Sequence, residues 1–372
     1  MKILKNITVF TLVMLLSVST VLEARDKNVS NFSSSTSNYV DSVGTFDGNK
    51  IYADVANNGL FLDYHVSGDS ALEWPKGTGV HSIFQSALWM GATVNGSIRT
   101  IVGDYTQDMG PGPWGGDPLA AVHRIYKVEK SMLASPLDFA DFQEWPVDFG
   151  APWVDVDGDG VYSPLPGGPD HPEFLGDQVL WFVSNDGDPA YKLNFGTSPL
   201  NVEIQTTMFG FDRPDVFGDM VFLKQLVINY GSDDLVDTYM GLWSDPDLGY
   251  AGDDFVGCDV DLGMGYVWND GVDSQYGTLD IGTPAAGYDF FQGPMVPCED
   301  GDSEAVCPAE GAKMFGTRHP GMKNLKMSSF AFYINGDATY TDPSDETEGY
   351  FYLQGLRKDG SAYPAEIAGD LY

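Results

Sequence analysis

Forty-two of the 54 acidic residues in this 372-residue chain are aspartate and 12 are glutamate, and they lie among 44 glycines and 22 prolines. Aspartate competes with helical backbone bonding, glycine carries a large entropy cost in a helix, and proline lacks the N–H that a helix needs. A chain interrupted this often cannot sustain long helices, but it can alternate short extended runs with tight turns. The runs between the interruptions are of β type. Residues 82–94 and 97–102 flank Asn95-Gly96, a pair suited to the positive φ angles of a two-residue hairpin. Residues 178–183, 202–211, 220–230 and 238–243 form a second series, at the spacing of an antiparallel meander or sandwich. The apolar run at 221–229 is nearly continuous, which predicts a central strand covered on both faces. Two short helices are predicted. One covers 135–145, with Ser135 as cap, Pro136 at the first helical position and Pro146 as terminator, and the other covers 344–356. The expected fold is all-β, mainly antiparallel and β-sandwich-like, with these short helices and long Asp/Gly/Pro-rich loops.

Hydrophobic residues make up 43% of the chain, enough to bury a sizeable core and too many for a disordered chain. The net charge of −35 repels nucleic acid and anionic membrane surfaces, and suits a surface that solubilises the protein in salty surroundings. Residues 1–24 have the layout of a signal peptide, with Lys2 and Lys5 before an apolar stretch at 7–22 and a small residue, Ala24, at its end. That stretch is short for a membrane span, so cleavage and export are expected, with no span left in the mature chain. The protein is then secreted or held at the outer cell surface. Residues 25–43 read as a flexible Ser/Asn-rich linker, and 44–372 as a β-rich body, either continuous or divided into two lobes near residue 150. Cys298 and Cys307 are separated by eight residues in a polar loop and are expected to form a disulfide in an exported protein. Cys258 is left over, as a small apolar residue of the interior.

The loop Trp153-Val-Asp155-Val-Asp157-Gly158-Asp159-Gly160-Val161 places carboxylates at alternate positions with a glycine after the third. This is the first half of a calcium loop, whose positions 1, 3 and 5 supply side-chain oxygens and whose sixth position turns sharply. Val161 would add its carbonyl and Ser163 a bound water. The twelfth position is Pro166, where a carboxylate is needed, so Asp170, Glu173 or Asp177 must close the site. A second acidic loop carries Asp245, Asp247, Asp253, Asp254 and Asp259 within 15 residues. Such crowding is repulsive unless a cation or solvent intervenes. Calcium is the expected ion at the first loop, and the second is read either as a loop folded around calcium or as a solvated acidic loop.

Catalytic signatures are missing. The sequence has no Gly-x-Ser-x-Gly elbow, no His-Glu-x-x-His and no phosphate loop, and its five histidines are scattered. A glycosidase would need two carboxylates in a cleft, and sequence cannot select a pair from 54 acids. Tryptophans such as Trp74, Trp89 and Trp114 could stack on sugar rings, although most tryptophans serve the core.

Several segments together carry a resemblance: Leu72-Glu-Trp-Pro-Lys-Gly-Thr-Gly79, Ala87-Leu-Trp-Met-Gly-Ala-Thr-Val-Asn-Gly96, Gly150 to Tyr162, Glu173-Phe-Leu-Gly-Asp-Gln178, Ser244-Asp-Pro-Asp-Leu-Gly249, Asp253-Asp-Phe-Val-Gly-Cys-Asp259 and Tyr288-Asp-Phe-Phe-Gln-Gly-Pro294. In this order they resemble a group of large secreted bacterial proteins that usually end in a type nine secretion sorting domain. The resemblance spans most of 44–372. It implies export, attachment to or release from the surface, and a β-rich body, and it implies no reaction. No sorting domain is visible before Tyr372, so the chain is expected to be a fragment of a longer protein. The functional expectation is a calcium-stabilised binding or structural protein with an extracellular glycan or protein ligand. The alternatives are a polysaccharide-active enzyme or carbohydrate-binding module, and an acidic adhesin.

Overall fold

The computed structural model describes residues 43–165, 169–334 and 337–364. The expected signal peptide, the linker up to residue 42, Pro166 and the C-terminal residues from 365 lie outside the described residues.

In chain order the strands are β1 (Val43–Phe46), β2 (Tyr52–Ala56), β3 (Leu60–Leu62), β4 (Leu72–Glu73), β5 (His81–Ile83), β6 (Gln85–Val94) and β7 (Ser97–Ile101). They continue through β8 (Gly110–Pro111), β9 (Tyr126–Glu129), β10 (Trp153–Val154), β11 (His171–Pro172), β12 (Gln178–Asn185), β13 (Val202–Gly210) and β14 (Phe222–Asn229). The last long ones are β15 (Val236–Asp245), β16 (Asp254–Asp259), β17 (Met264–Asn269) and β18 (Ala286–Asp289). Every pairing among them is antiparallel. The helices are α1 (Ala140–Gln143) and α2 (Glu346–Leu353). Among the described residues the chain therefore forms a mainly β, antiparallel fold with two short helices.

The expected sandwich does not form. Among the described residues the strands are divided among separate sheets, and the four sheets of three or more strands are arranged as in a small four-bladed propeller rather than as two facing layers. These blades are β1-β2-β4-β5, β14-β13-β12 with β8 and β9, β15-β6 with β3 and β7, and β16-β17-β18. They interleave in sequence, because β6 takes partners from 60–62, 97–101 and 236–245. Loops rich in glycine, aspartate and proline cut the ladders short, so no pair of sheets becomes continuous enough to enclose a single core. The interior is divided accordingly into several clusters.

All eight residues of β12 are buried. Its alternation sends Leu180 and Phe182 into a cluster with Phe46 and Val55, while Val179, Trp181 and Val183 face Phe142 and Trp145 on the opposite side. The run at 221–229, expected to be central, becomes β14 instead. It pairs with β13 alone among the described residues, its side chains are only half-buried, and the central place belongs to β12 and β13. A continuous apolar run reports burial on two faces only when neighbours cover both, and β14 lies at the rim.

The hairpin at Asn95-Gly96 forms as expected, with φ of 51° and 81° closing β6 onto β7. The helix expected over 135–145 forms only as α1, preceded by a single turn at Pro136–Asp138. Phe139 is extended between them, and the Gln143 side chain donates to the Leu137 carbonyl (2.8 Å). This break lets Phe142 turn fully into the interior. At α2 the cap is Asp345, whose side chain accepts from Thr347 and Glu348 N–H, within the range expected for the second helix.

One ionic group is completely internal. Lys192 Nζ lies 2.8 Å from Asp108 Oδ2 and 3.8 Å from Asp186 Oδ2, with all three side chains at most 2% exposed. Lys192 also donates to the Thr100 carbonyl, while Asp186 accepts from Leu200 and Val202 N–H. The group ties β7 to the end of β12 and the start of β13. Burial pushes the Asp108 and Asp186 carboxyls up, and Lys192 beside them opposes that shift.

Candidate metal centre

The loop after β10 folds around its own carboxylates. Asp155 Oδ1 accepts from Gly158 N–H (2.7 Å) and Asp155 Oδ2 from Gly160 N–H (2.9 Å). Asp157 accepts from Asp159 N–H (3.2 Å), and Asp159 from Val161 N–H (2.7 Å). Gly158 and Gly160 hold φ of 79° and 77°, where a side chain would be strained, so the chain can coil tightly enough to bring successive carboxylates inward. Both ends of the loop are anchored. Trp153 and Tyr162 pack edge-on at 5.6 Å, and Tyr162 OH donates to the Phe142 carbonyl (2.6 Å) over the outer face of β12.

Asp170 closes the loop. It is 2% exposed, and its oxygens accept from Val156 N–H and Ser163 N–H, each at 2.9 Å. Asp155, Asp157, Asp159 and Asp170 thereby offer oxygens that all lie within 4.8 Å of one another. Asp157 carries the mark of this crowding. Asp159 N–H pulls its pKa down, but desolvation and the charges of Asp159, Asp170 and Asp155 outweigh that and leave it raised.

Of the three residues expected to close the site, Asp170 is the one in the quartet. Glu173 instead lies 3.7 Å from Lys224 Nζ, and Asp177 accepts from Asp212 N–H (3.0 Å). Val161 and Ser163 sit on the loop and turn their N–H groups toward Asp159 and Asp170.

The donor set is all oxygen and all carboxylate. Three of the four residues are exposed, which leaves room for water on the outer side of an ion. Such a set fits a hard divalent cation, and it fits calcium's six to eight oxygens without demanding rigid geometry. It lacks the nitrogen or sulfur donors of a zinc or copper site.

The second acidic loop is built differently. Among the described residues only the 155–170 quartet converges within that distance. Asp245 accepts from Tyr105 OH (2.9 Å), and Asp254 Oδ2 from Leu248 N–H (2.9 Å). Asp247 N–H donates to the Ser82 carbonyl (3.2 Å), and Asp253 N–H to the Tyr250 carbonyl (3.5 Å). The residue that organises this region is Asp273, which sequence reasoning passed over. It is fully buried, with Oδ1 accepting from Gln275 and Tyr276 N–H and Oδ2 from Tyr250 N–H. A β-carbon on Gly249 would lie 2.2 Å from Asp273 Oδ1, so the carboxylate can reach Tyr250 only past a glycine. The available signal was Asp273-Ser-Gln-Tyr276, an aspartate able to accept from the backbone N–H groups two and three residues on. Burial raises Asp254 to about 7, with Asp253 and Asp273 adding to the effect and Leu248 N–H opposing it.

Cys298 and Cys307 form the expected disulfide, with Cα atoms 5.9 Å apart. Cys258, on β16, is half-buried rather than fully internal. No helix among the described residues is long and apolar enough to cross a membrane. Compared with known family models, with curated proteins and with solved structures, the chain matches none of them.

Proposed function

We propose that this is an exported, calcium-stabilised β-rich protein of the extracellular space or outer cell surface, working by binding rather than by catalysis. The observation that carries the reading is the convergence of Asp155, Asp157, Asp159 and Asp170, with a buried carboxylate closing an otherwise exposed loop. Mutual repulsion among four carboxylates opposes this arrangement unless a cation sits among them, so an ion that binds only the folded loop stabilises the fold by mass action. Millimolar calcium is an extracellular condition, and the Cys298–Cys307 bridge suits the same oxidising compartment. Export by the type nine route rests on the resemblance to secreted bacterial proteins. The strongly acidic surface disfavours nucleic acid and leaves an extracellular glycan or protein as the partner class.

The test is thermal melting of the full chain in millimolar calcium and in chelator. A rise in Tm with calcium, reversed by chelator and lost in Asp157→Asn, is the expected result. Identical melting in both solutions removes the proposal.

A further inference from the structure

A cavity of about 870 Å³ opens between the β15-β6 sheet, the β16-β17-β18 sheet and the segment 325–334. That is the size of a small-molecule site. None of its lining comes from the 155–170 loop.

Its floor is aromatic. Trp89 and Trp243 stack at 5.6 Å with planes 6° apart, Tyr333 stacks on Trp89 at 6.4 Å, and Tyr105 meets Trp243 edge-on at 5.8 Å. Hydrogen bonds fix these rings. Trp243 Nε1 donates to Tyr333 OH (2.6 Å), Tyr105 OH donates to Asp245, and Trp89 Nε1 donates to the Gly103 carbonyl (2.6 Å). Tyr352 of α2 shares a cluster with Trp89 and Trp243 and also lines the cavity. Around this floor stand Asp245, Asp247, Asp253, Asp254 and Asp270, against a single basic side chain, Lys326.

We infer that this cavity binds an organic ammonium cation. Trp89 and Trp243 are buried against each other, so the rings open to a ligand are the exposed Tyr250 and the half-buried Tyr105 and Tyr333. Such rings attract a cation through their quadrupole, and a carboxylate rim with low-dielectric walls concentrates positive charge at the mouth. The aromatic floor supplies apolar contact for the carbon body of such a ligand. An anion would be repelled by the rim. A neutral sugar could stack on the rings but would leave the repulsion among the carboxylates unchanged. Two sources carry this chemistry, a free alkylammonium small molecule and a lysine side chain presented by a peptide.

The experiment is calorimetric titration of the full chain in chelator at low salt. The probes are choline, its uncharged isostere 3,3-dimethyl-1-butanol, an acetylated and amidated trilysine peptide, and cellohexaose. Choline or trilysine should bind about tenfold or more tightly than dimethylbutanol, and raising salt from about 20 to 300 mM should weaken that binding. The tighter of the two cations identifies the source. Asp253→Asn should weaken binding several-fold while leaving the circular dichroism unchanged, and Asp245→Asn should do so more strongly. If Asp245→Asn fails to fold for want of its Tyr105 bond, the rim variant Asp270→Asn takes its place. Asp157→Asn should bind the cations normally, which separates this outcome from that of the calcium loop. The inference is overturned if the isostere binds as well as choline, if cellohexaose binds and the cations do not, if no probe binds, or if the aspartate variants bind cations like the wild type.

Discussion

Replacing Asp170 by Asn tests how the calcium loop is held, because the structure separates this residue from its three partners. Asp155, Asp157 and Asp159 are exposed and bond within their own turn, whereas Asp170 is buried and links Val156 to Ser163 across it. Asn retains one acceptor oxygen and turns an amide toward the other N–H. One charge-assisted hydrogen bond is lost and one buried donor is left unmatched, at a cost of about 2–3 kcal/mol. For a body of this size that is a fall in Tm of roughly 3–4 °C, and it should appear in chelator, with no calcium present. Asp157→Asn should do the reverse. It should melt like the wild type in chelator and fall behind only in calcium. With calcium about 100-fold above its Kd, the wild-type loop gains about 2.7 kcal/mol by mass action. Calorimetry of the three proteins in chelator and in calcium reads both terms. The reasoning is refuted if Asp170→Asn melts like the wild type in chelator, or if the calcium-dependent rise survives in Asp157→Asn.

Three further outcomes follow from other parts of the molecule. Lys192→Met should destabilise by about 3–5 kcal/mol in urea titrations, because it strands Asp108 and Asp186 as buried carboxylates without their counter-charge; a loss within 1 kcal/mol, roughly the level of a surface change, would contradict that account. Burial raises Asp104 to about 6 and Asp254 to about 7, so the folded state holds protons that the unfolded chain has released. Their contribution is fully favourable below the ordinary carboxylate pKa and is lost as pH rises to about 7, so Asp254→Asn should flatten the fall in Tm between about pH 5 and 7, and an unchanged slope would count against it. Thiol titration of the unfolded chain should find one reactive cysteine before reduction and three after it, and three before reduction would exclude the Cys298–Cys307 bridge.

Much of this architecture was legible where the cause is local. The Asn95-Gly96 hairpin, the Asp345-led helix and the coil of 155–161 each depend on residues within a few positions of one another, and each formed where the side chains dictated. The 135–145 helix is shorter than its sequence predicts because its cap and proline signals are local, while burial of Phe142 is a tertiary demand that breaks the helix at Phe139. The run at 221–229 lies at an edge that its sequence does not predict, because an apolar strand carries no mark of whether a neighbour will cover its second edge.

By itself the sequence determined a strand-and-turn chain, its acidic character, the first three carboxylates of the metal loop and the pairing of two nearby cysteines. These follow from backbone preferences and short separations, which act before the chain is compact. Only the tertiary structure decided that Asp170, rather than Glu173 or Asp177, closes the loop, since all three lie within reach in sequence and only one is drawn into the interior beside Ser163. It also decided that the strands would divide into separate blades, and that Trp89, Trp243 and Tyr333 would meet under a rim of aspartates. Those residues are brought together by the packing of sheets and not by proximity along the chain. No sequence period records which sheet will lie against which.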